Sequence, residues 1–375
     1  MVWSTCTKIR HVDYLATVGA EGENHTASVS DSEQRNTSLN LNNSLPLPDQ
    51  LTASYHWLAQ TEQMLNRGET KVRHIDYENA PFGRTVLAPS PYRWWLGFLA
   101  WCEHVAEGAP AAALVEKAAL WADPILLGMI VVAASGLAAK YFGSLSTAFV
   151  SIGLISLFPF VTGFLPGEPD DRGLAEILAI ASVLFLSGGL VAAPENERRR
   201  RIWFVIAGVA GGLGLWVKVP VQLPVLAGVF VSGLLVSLFF SHDLRKIPAA
   251  CLPWRAWSYA GAAMTLIASV IEYTPAELRG GELTFVHPLH ALAWLGAGEL
   301  LVAVHSWRKS KAFFRSAKNI FRFALCVLAI AIVPLLLLRK HGVDLFIIDG
   351  MASHLTRLST GTVAKNLAVW LGIQG

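Results

Sequence analysis

"FLPGEPDDRGLAEILAIASVLFLSGGLVAAPENERRRR", residues 164–201, sets an apolar run between a pair of acids and a block of arginines. From 173 to 193 the run carries one charge, Glu176. A stretch of roughly twenty such residues matches the thickness of a bilayer's hydrocarbon core. In lipid the backbone must satisfy its own hydrogen bonds, so the segment reads as a spanning helix. The arginines mark its cytoplasmic end by the positive-inside rule. Asp170 and Asp171 then open it on the other side, and carboxylates beside a membrane are costly unless they face water, meet a cation or do chemistry.

The same reading extends along the chain. Of its 375 residues 53% are hydrophobic and only 15% charged, with a formal net charge of +3. Soluble domains are about a quarter charged. Apolar runs recur at about 124–142, 144–165, 173–193, 201–217, 221–240, 255–272, 287–305 and 318–337, which predicts about eight spans. The fold class is therefore an all-α integral membrane protein, a polytopic helix bundle with helical external loops. Gly208, Gly211, Gly212 and Gly214 would let neighbouring helices approach closely. The basic loops "NERRRR" (196–201), "HDLRKIPAACLPWR" (242–255) and "SWRKSKAFFRSAK" (306–318) fall on one face. That face is expected to be cytoplasmic, with the acidic loops outside a plasma (inner) membrane. The arginine block is read as a headgroup-facing loop and not as a nucleic-acid patch.

Four segments follow: a polar tail at 1–50, a first external loop at 51–122, the bundle at 123–340 and a C-terminal segment at 341–375. The tail holds no apolar core of signal-peptide length. Its Asn24, Asn36 and Asn42 triplets are frequent by chance in so Ser/Thr/Asn-rich a stretch. Within the loop, "SYHWLAQTEQML" (54–65) has helical periodicity with Tyr55, Leu58 and Leu65 on one side. Trp94, Trp95 and Trp101 suit a membrane interface. Cys6, Cys102, Cys251 and Cys326 are scattered without a paired spacing, so neither a disulfide framework nor a zinc site is expected.

Two readings of the acids stand side by side. Asp170 and Asp171 suit a helix N-terminus, where negative charge is favoured. Glu272, in "SVIEYTP" (269–275), ends a span and so stands at the unfavourable end of the helix dipole. It is either a solvated interfacial residue or the partner of a cation. Carboxylates gathered from separate loops are what a divalent Mg or Mn site requires. His287 and His290 in "VHPLH" are a second metal candidate, or interfacial histidines.

"SVIEYTP" resembles the SVSE/TIXE-type segment of the oligosaccharyltransferase catalytic subunit, a C-type membrane glycosyltransferase. "GEPDDRGLAE" (167–176) is similar to that family's second acidic motif. "SYHWLAQTEQML" followed by "DYENAPFGRTVLAPSPYRWWL" (76–96) is similar to its first external loop. The resemblance spans roughly 50–340, with the motifs in order on one face, and it describes a divergent, shortened member. It implies transfer of a glycan from a polyprenyl-phosphate-linked donor to an acceptor, a protein asparagine or another glycan, at the extracytoplasmic face. It implies Asp170 and Glu272 as catalytic residues, with Glu272 on a mobile loop. It implies a divalent metal, Mg or Mn, at Asp170, Asp171, Glu272 and Asp76, beside Glu78. From their place on the external side, Arg84 and Arg279 are either contacts for a phosphate or ordinary solvated arginines. The partners are the lipid-linked donor, the membrane and the acceptor, with no nucleic acid.

Departures define the alternatives. Ala53 stands where the family carries an acid in the first loop, and there is no WWD-type acceptor motif. A catalytically inactive relative is one alternative. A transporter or flippase-like protein is another, and it would place acids deep within spans.

Overall fold

The residues after Asp171 form one uninterrupted helix, Asp171–Val191, as their lack of polar partners in lipid demands. The computed structural model describes residues 52–77, 81–157, 160–191, 196–239, 252–279, 282–309 and 316–341. The tail at 1–50 and the C-terminal segment beyond His341 lie outside the described residues, as does Glu78. The helices are α1 (Thr52–Arg67), α2 (Pro91–Glu107), α3 (Val115–Phe142), α4 (Ser144–Ser156), α5 (Asp171–Val191), α6 (Glu197–Val217), α7 (Val219–Phe239), α8 (Trp254–Glu272), α9 (Pro275–Arg279), α10 (Pro288–Lys309) and α11 (Ala317–His341). A short antiparallel ribbon, β1 (His74–Ile75) with β2 (Arg84–Thr85), joins α1 to α2.

Each of the eight apolar runs is helical. Six of the helices, α3, α5, α6, α7, α10 and α11, are long and apolar enough to cross a membrane. The chain is thus an all-α integral membrane protein. α4 is shorter: Leu157 leaves the helical region (φ −70°, ψ 106°). A 3₁₀ turn, Phe160–Phe164, completes the run expected at 144–165. α8 carries Trp, Tyr, Ser and Thr among its apolar residues, which suits its place between α6 and α10 inside the bundle.

Two further boundaries differ from the sequence reading. α3 begins at Val115, and Pro124 lies inside it. Ala118, Ala119 and Ala122 are buried against Trp57, Leu58, Tyr92 and Leu96, so packing on α1 and α2 extends the helix ahead of its proline. In α1 the inward residues are Ser54, Trp57, Leu58, Thr61 and Met64, while Tyr55 faces out.

The bundle is held by aromatic packing and by close backbone approach. Trp257 lies 4.3 Å from Trp294 between ring centroids, and Trp254 links it to Phe204. On α6, a Cβ added at Gly208 would stand 2.3 Å from the Trp257 carbonyl oxygen, and one at Gly212 would stand 2.8 Å from Met264 Cβ. Gly208→Ala is expected to lower the thermal midpoint of the detergent-solubilised protein, at a cost of about 1–3 kcal/mol. Gly228→Ala, whose new Cβ would meet nothing within 4 Å, should leave the midpoint unchanged. Equal midpoints for the two variants would contradict this packing of α6 on α8.

Candidate functional site

α5 starts, α6 and α8 end and α10 starts at one end of the bundle, the end that carries α1, α2 and the ribbon. Glu272 closes α8 there and is buried at 2% exposure. The negative pole of a helix disfavours a carboxylate, and the first loop supplies the compensation. Lys71 donates to the Ile271 carbonyl and Arg73 to that of Glu272. The carboxylate itself takes four hydrogen bonds. Oε1 accepts from Arg73 Nη2 at 2.9 Å and Ser90 Oγ at 2.8 Å. Oε2 accepts from Trp216 Nε1 at 2.7 Å and the Ser90 N–H at 3.2 Å. A carboxylate offers about four lone-pair positions, and here all are used. The solvated reading of Glu272 is therefore replaced by a buried, saturated one.

Around this carboxylate the first loop is itself braced. The Tyr273 hydroxyl donates to the Leu87 carbonyl at 2.8 Å, and Arg93 Nη2 to that of Ala88 at the same distance. Arg93 Nη1 donates to Gln60 Oε1 at 2.7 Å. The guanidinium of Arg73 lies over the Tyr273 ring, that of Arg93 over Trp57. Burial lowers the Arg93 pKa to about 10 while Glu272 opposes the shift, so the group keeps its charge at neutral pH.

The second acidic site is built on the start of α5. Lys218, directly after α6, donates to Asp171 Oδ1 at 2.8 Å and lies 3.8 Å from Asp170 Oδ1. Burial pushes the Asp170 carboxyl up, but the Lys218 ammonium and neighbouring hydrogen bonds outweigh it and hold the group below its usual range. Asp123, fully buried on α3, accepts the Tyr92 hydroxyl at 3.0 Å on both oxygens and lies within electrostatic reach of Asp170 and Asp171. Arg93 interacts electrostatically with both Glu272 and Asp171. Trp216 and Lys218 reach one acidic site each from the end of α6.

The other expected residues lie elsewhere. Asp76 is exposed beside the ribbon, paired with Arg67 at 3.4 Å and His74 at 3.2 Å. Arg84 is exposed on β2, and Arg279 is exposed at the end of α9. His290 is buried and its Nδ1 accepts the His287 N–H at 3.0 Å, so the pair organises the start of α10. Among the described residues no three His, Cys, Asp or Glu side chains are grouped to hold a metal ion. With Glu272 saturated and an ammonium on Asp171, the acids as arranged do not fit the expected divalent ion.

Sequence reasoning missed Arg73, Ser90, Tyr92, Arg93, Asp123, Trp216 and Lys218. Signals existed for three of them. Asp123 stands immediately before the run expected at 124–142, Arg93 lies among the aromatics of "PYRWWL", and Lys218 is the one cation of "KVPVQ" between two apolar runs.

The fold is similar to that of solved oligosaccharyltransferase structures. No family model and no curated protein matches the sequence. Solved structures of the Archaeoglobus fulgidus oligosaccharyltransferase share the fold. Its complex with Zn and sulfate aligns over 86% of this chain and 42% of that chain, with a TM-score of 0.52 and 12% identity. The complex with an inhibitory peptide and a dolichol-phosphate covers 83% and 35%, at 0.50 and 14% identity. The form tethered to an acceptor peptide containing the NVT sequon covers 77% and 34%, at 0.52 and 13% identity. This chain thus spans well under half the length of those proteins.

Contacts in one network are non-additive. A double-mutant cycle of Arg73→Met and Glu272→Gln, read by chemical unfolding in detergent, is expected to give a coupling of about 0.5–3 kcal/mol. Strict additivity would remove Arg73 from the carboxylate.

Proposed function

We propose that the chain is a membrane glycosyltransferase of the oligosaccharyltransferase type. Its donor is a glycan on a polyprenyl phosphate, its first-choice acceptor a protein asparagine, and its working face the extracytoplasmic one. The observation that carries this reading is the fold likeness combined with two acidic sites joined by the end of α6 at one end of the bundle. In the Archaeoglobus proteins named above, the bound molecules are a dolichol-phosphate and acceptor or inhibitory peptides. They supply the substrate classes for this proposal.

In this reading Asp170, whose side chain is 39% exposed, is the carboxylate available to an incoming acceptor. It accepts a hydrogen bond from the acceptor's N–H or O–H and orients the nucleophile, the work of a positioned general base. Glu272, with no lone pair to spare, acts by holding the Ser90 turn and Arg73 in place. Arg84 and Arg279, both exposed, are the proposed contacts of the donor phosphate, which cations stabilise as it departs. Asp171 neutralises Lys218, and Asp76 is assigned no step. No step passes through a metal, because the described acids do not fit one.

The transporter alternative is less well supported. Three carboxylates within spanning helices are paired: Asp123 holds Tyr92, Glu176 pairs with Arg172, and Glu299 holds Arg255, Tyr259 and Arg322. An ion pathway would ask such groups to exchange partners.

A transfer assay with a polyprenyl-linked donor, offering peptide and glycan acceptors in parallel, tests the proposal. The unaltered protein should transfer, Asp170→Asn should lose about 100-fold or more in rate, and Glu272→Ala should be at least as impaired. No transfer with a donor and acceptor already proven on an active relative would sink the reading and favour the inactive one.

A further inference from the structure

We infer that Lys218 is the resident cation of the Asp170–Asp171 site, occupying the position that a divalent metal would otherwise take. Its ammonium lies 2.8 Å from Asp171 Oδ1 and 3.8 Å from Asp170 Oδ1, so one group serves both carboxylates. A Mg or Mn ion would bind such oxygens at about 2.0–2.2 Å. Two cations crowded onto the same oxygen pair repel each other. Metal and ammonium are therefore alternatives here.

Lys218 is no loosely tethered surface lysine. It sits in extended conformation (φ −156°, ψ 99°) at the junction of α6 and α7, and its N–H donates to the Gly214 carbonyl at 2.9 Å. Its own carbonyl accepts from the N–H groups of Val221 and Gln222, each at 3.2 Å. Val217 and Val219 on either side are buried at 4% and 2% exposure. The backbone is thus fixed in both directions, and only the side chain is left to reach the acids. Lysine's four-carbon stem and point charge suit that reach.

Two independent features agree. Glu272, the acid that would complete a metal shell from α8, has its lone pairs filled by Arg73, Ser90 and Trp216. A site whose α8 carboxylate is committed and that already holds an ammonium lacks the charge to retain a divalent ion. Asp123, the third carboxylate nearby, is occupied by the Tyr92 hydroxyl. The inference concerns the cation, and it holds whether or not the chain transfers glycan.

Mn²⁺ binding tests it without any activity readout. The full-length protein in detergent is titrated with MnCl₂, following the free hexaaqua-Mn electron paramagnetic resonance signal, and its thermal midpoint is compared in Mn²⁺ and in chelator. The unaltered protein should show no saturable site and no shift in midpoint. Lys218→Met, which leaves the carboxylates uncompensated, should lower the midpoint in chelator. Mn²⁺ should then restore it, with affinity on the order of tenfold or more above the unaltered protein. Lys218→Arg should behave as the unaltered protein. Stoichiometric Mn²⁺ binding by the unaltered protein that Asp170→Asn abolishes would overturn the inference. So would a Lys218→Met variant as stable as the parent and still indifferent to Mn²⁺. If Lys218→Met does not fold, the Mn²⁺ titration of the unaltered protein against Asp170→Asn decides alone.

Discussion

A carboxylate buried at the negative end of a helix is the constraint on which this end of the molecule depends. Removing a charge from water costs several kcal/mol even after relaxation, and the dipole of α8 adds to the cost at Glu272. The protein offsets both with groups drawn from three places: Lys71 and Arg73 beside the ribbon, Lys71 on the Ile271 carbonyl and Arg73 on the carboxylate; Ser90 before α2; and Trp216 on α6. Each donor is also a mechanical tie. The first loop is docked on the bundle because its arginine and its serine have a partner there.

The end of α6 serves both acidic sites, and this joins their geometry. Trp216 points to Glu272 and Lys218 to Asp171. How far α6 projects is set lower down, where Gly208 and Gly212 allow its backbone to lie against α8. Small residues at a helix crossing are the usual means of close approach in membranes. Here the crossing also fixes the height of an indole and an ammonium. Glycines in the bundle thus act on the electrostatics at its end, although neither touches a charge.

What could be read from the sequence followed what is local. Apolar runs gave the helices, basic loops gave a self-consistent alternation, and the α6 glycines signalled tight packing. Asp170 and Glu272 were legible as unusual because a polar group beside lipid always demands a reason. Their partners were not legible. Arg73 and Ser90 lie 199 and 182 residues from Glu272, and no periodicity links residues so far apart. Asp123 was hidden by Pro124, which read as a helix start until packing on α1 and α2 carried α3 back to Val115. Tyr55 was placed on the wrong face because small polar residues, Ser54 and Thr61, fill the tight contact that an apolar pattern assigns to large ones.

The fold is shared at 12–14% identity with its structural neighbours, and the bilayer constrains pattern more than residue type. Any apolar run of the right length satisfies it. Charges beside the membrane have no such latitude, since each must meet a specific partner. In this chain Glu272 is bound by an arginine and Asp171 is met by a lysine. Both carboxylates thus receive positive charge from within the chain. A fold alone does not carry a chemistry. What chemistry this end of the bundle supports depends on the charges it presents, among them the Lys218 ammonium 3.8 Å from Asp170 Oδ1.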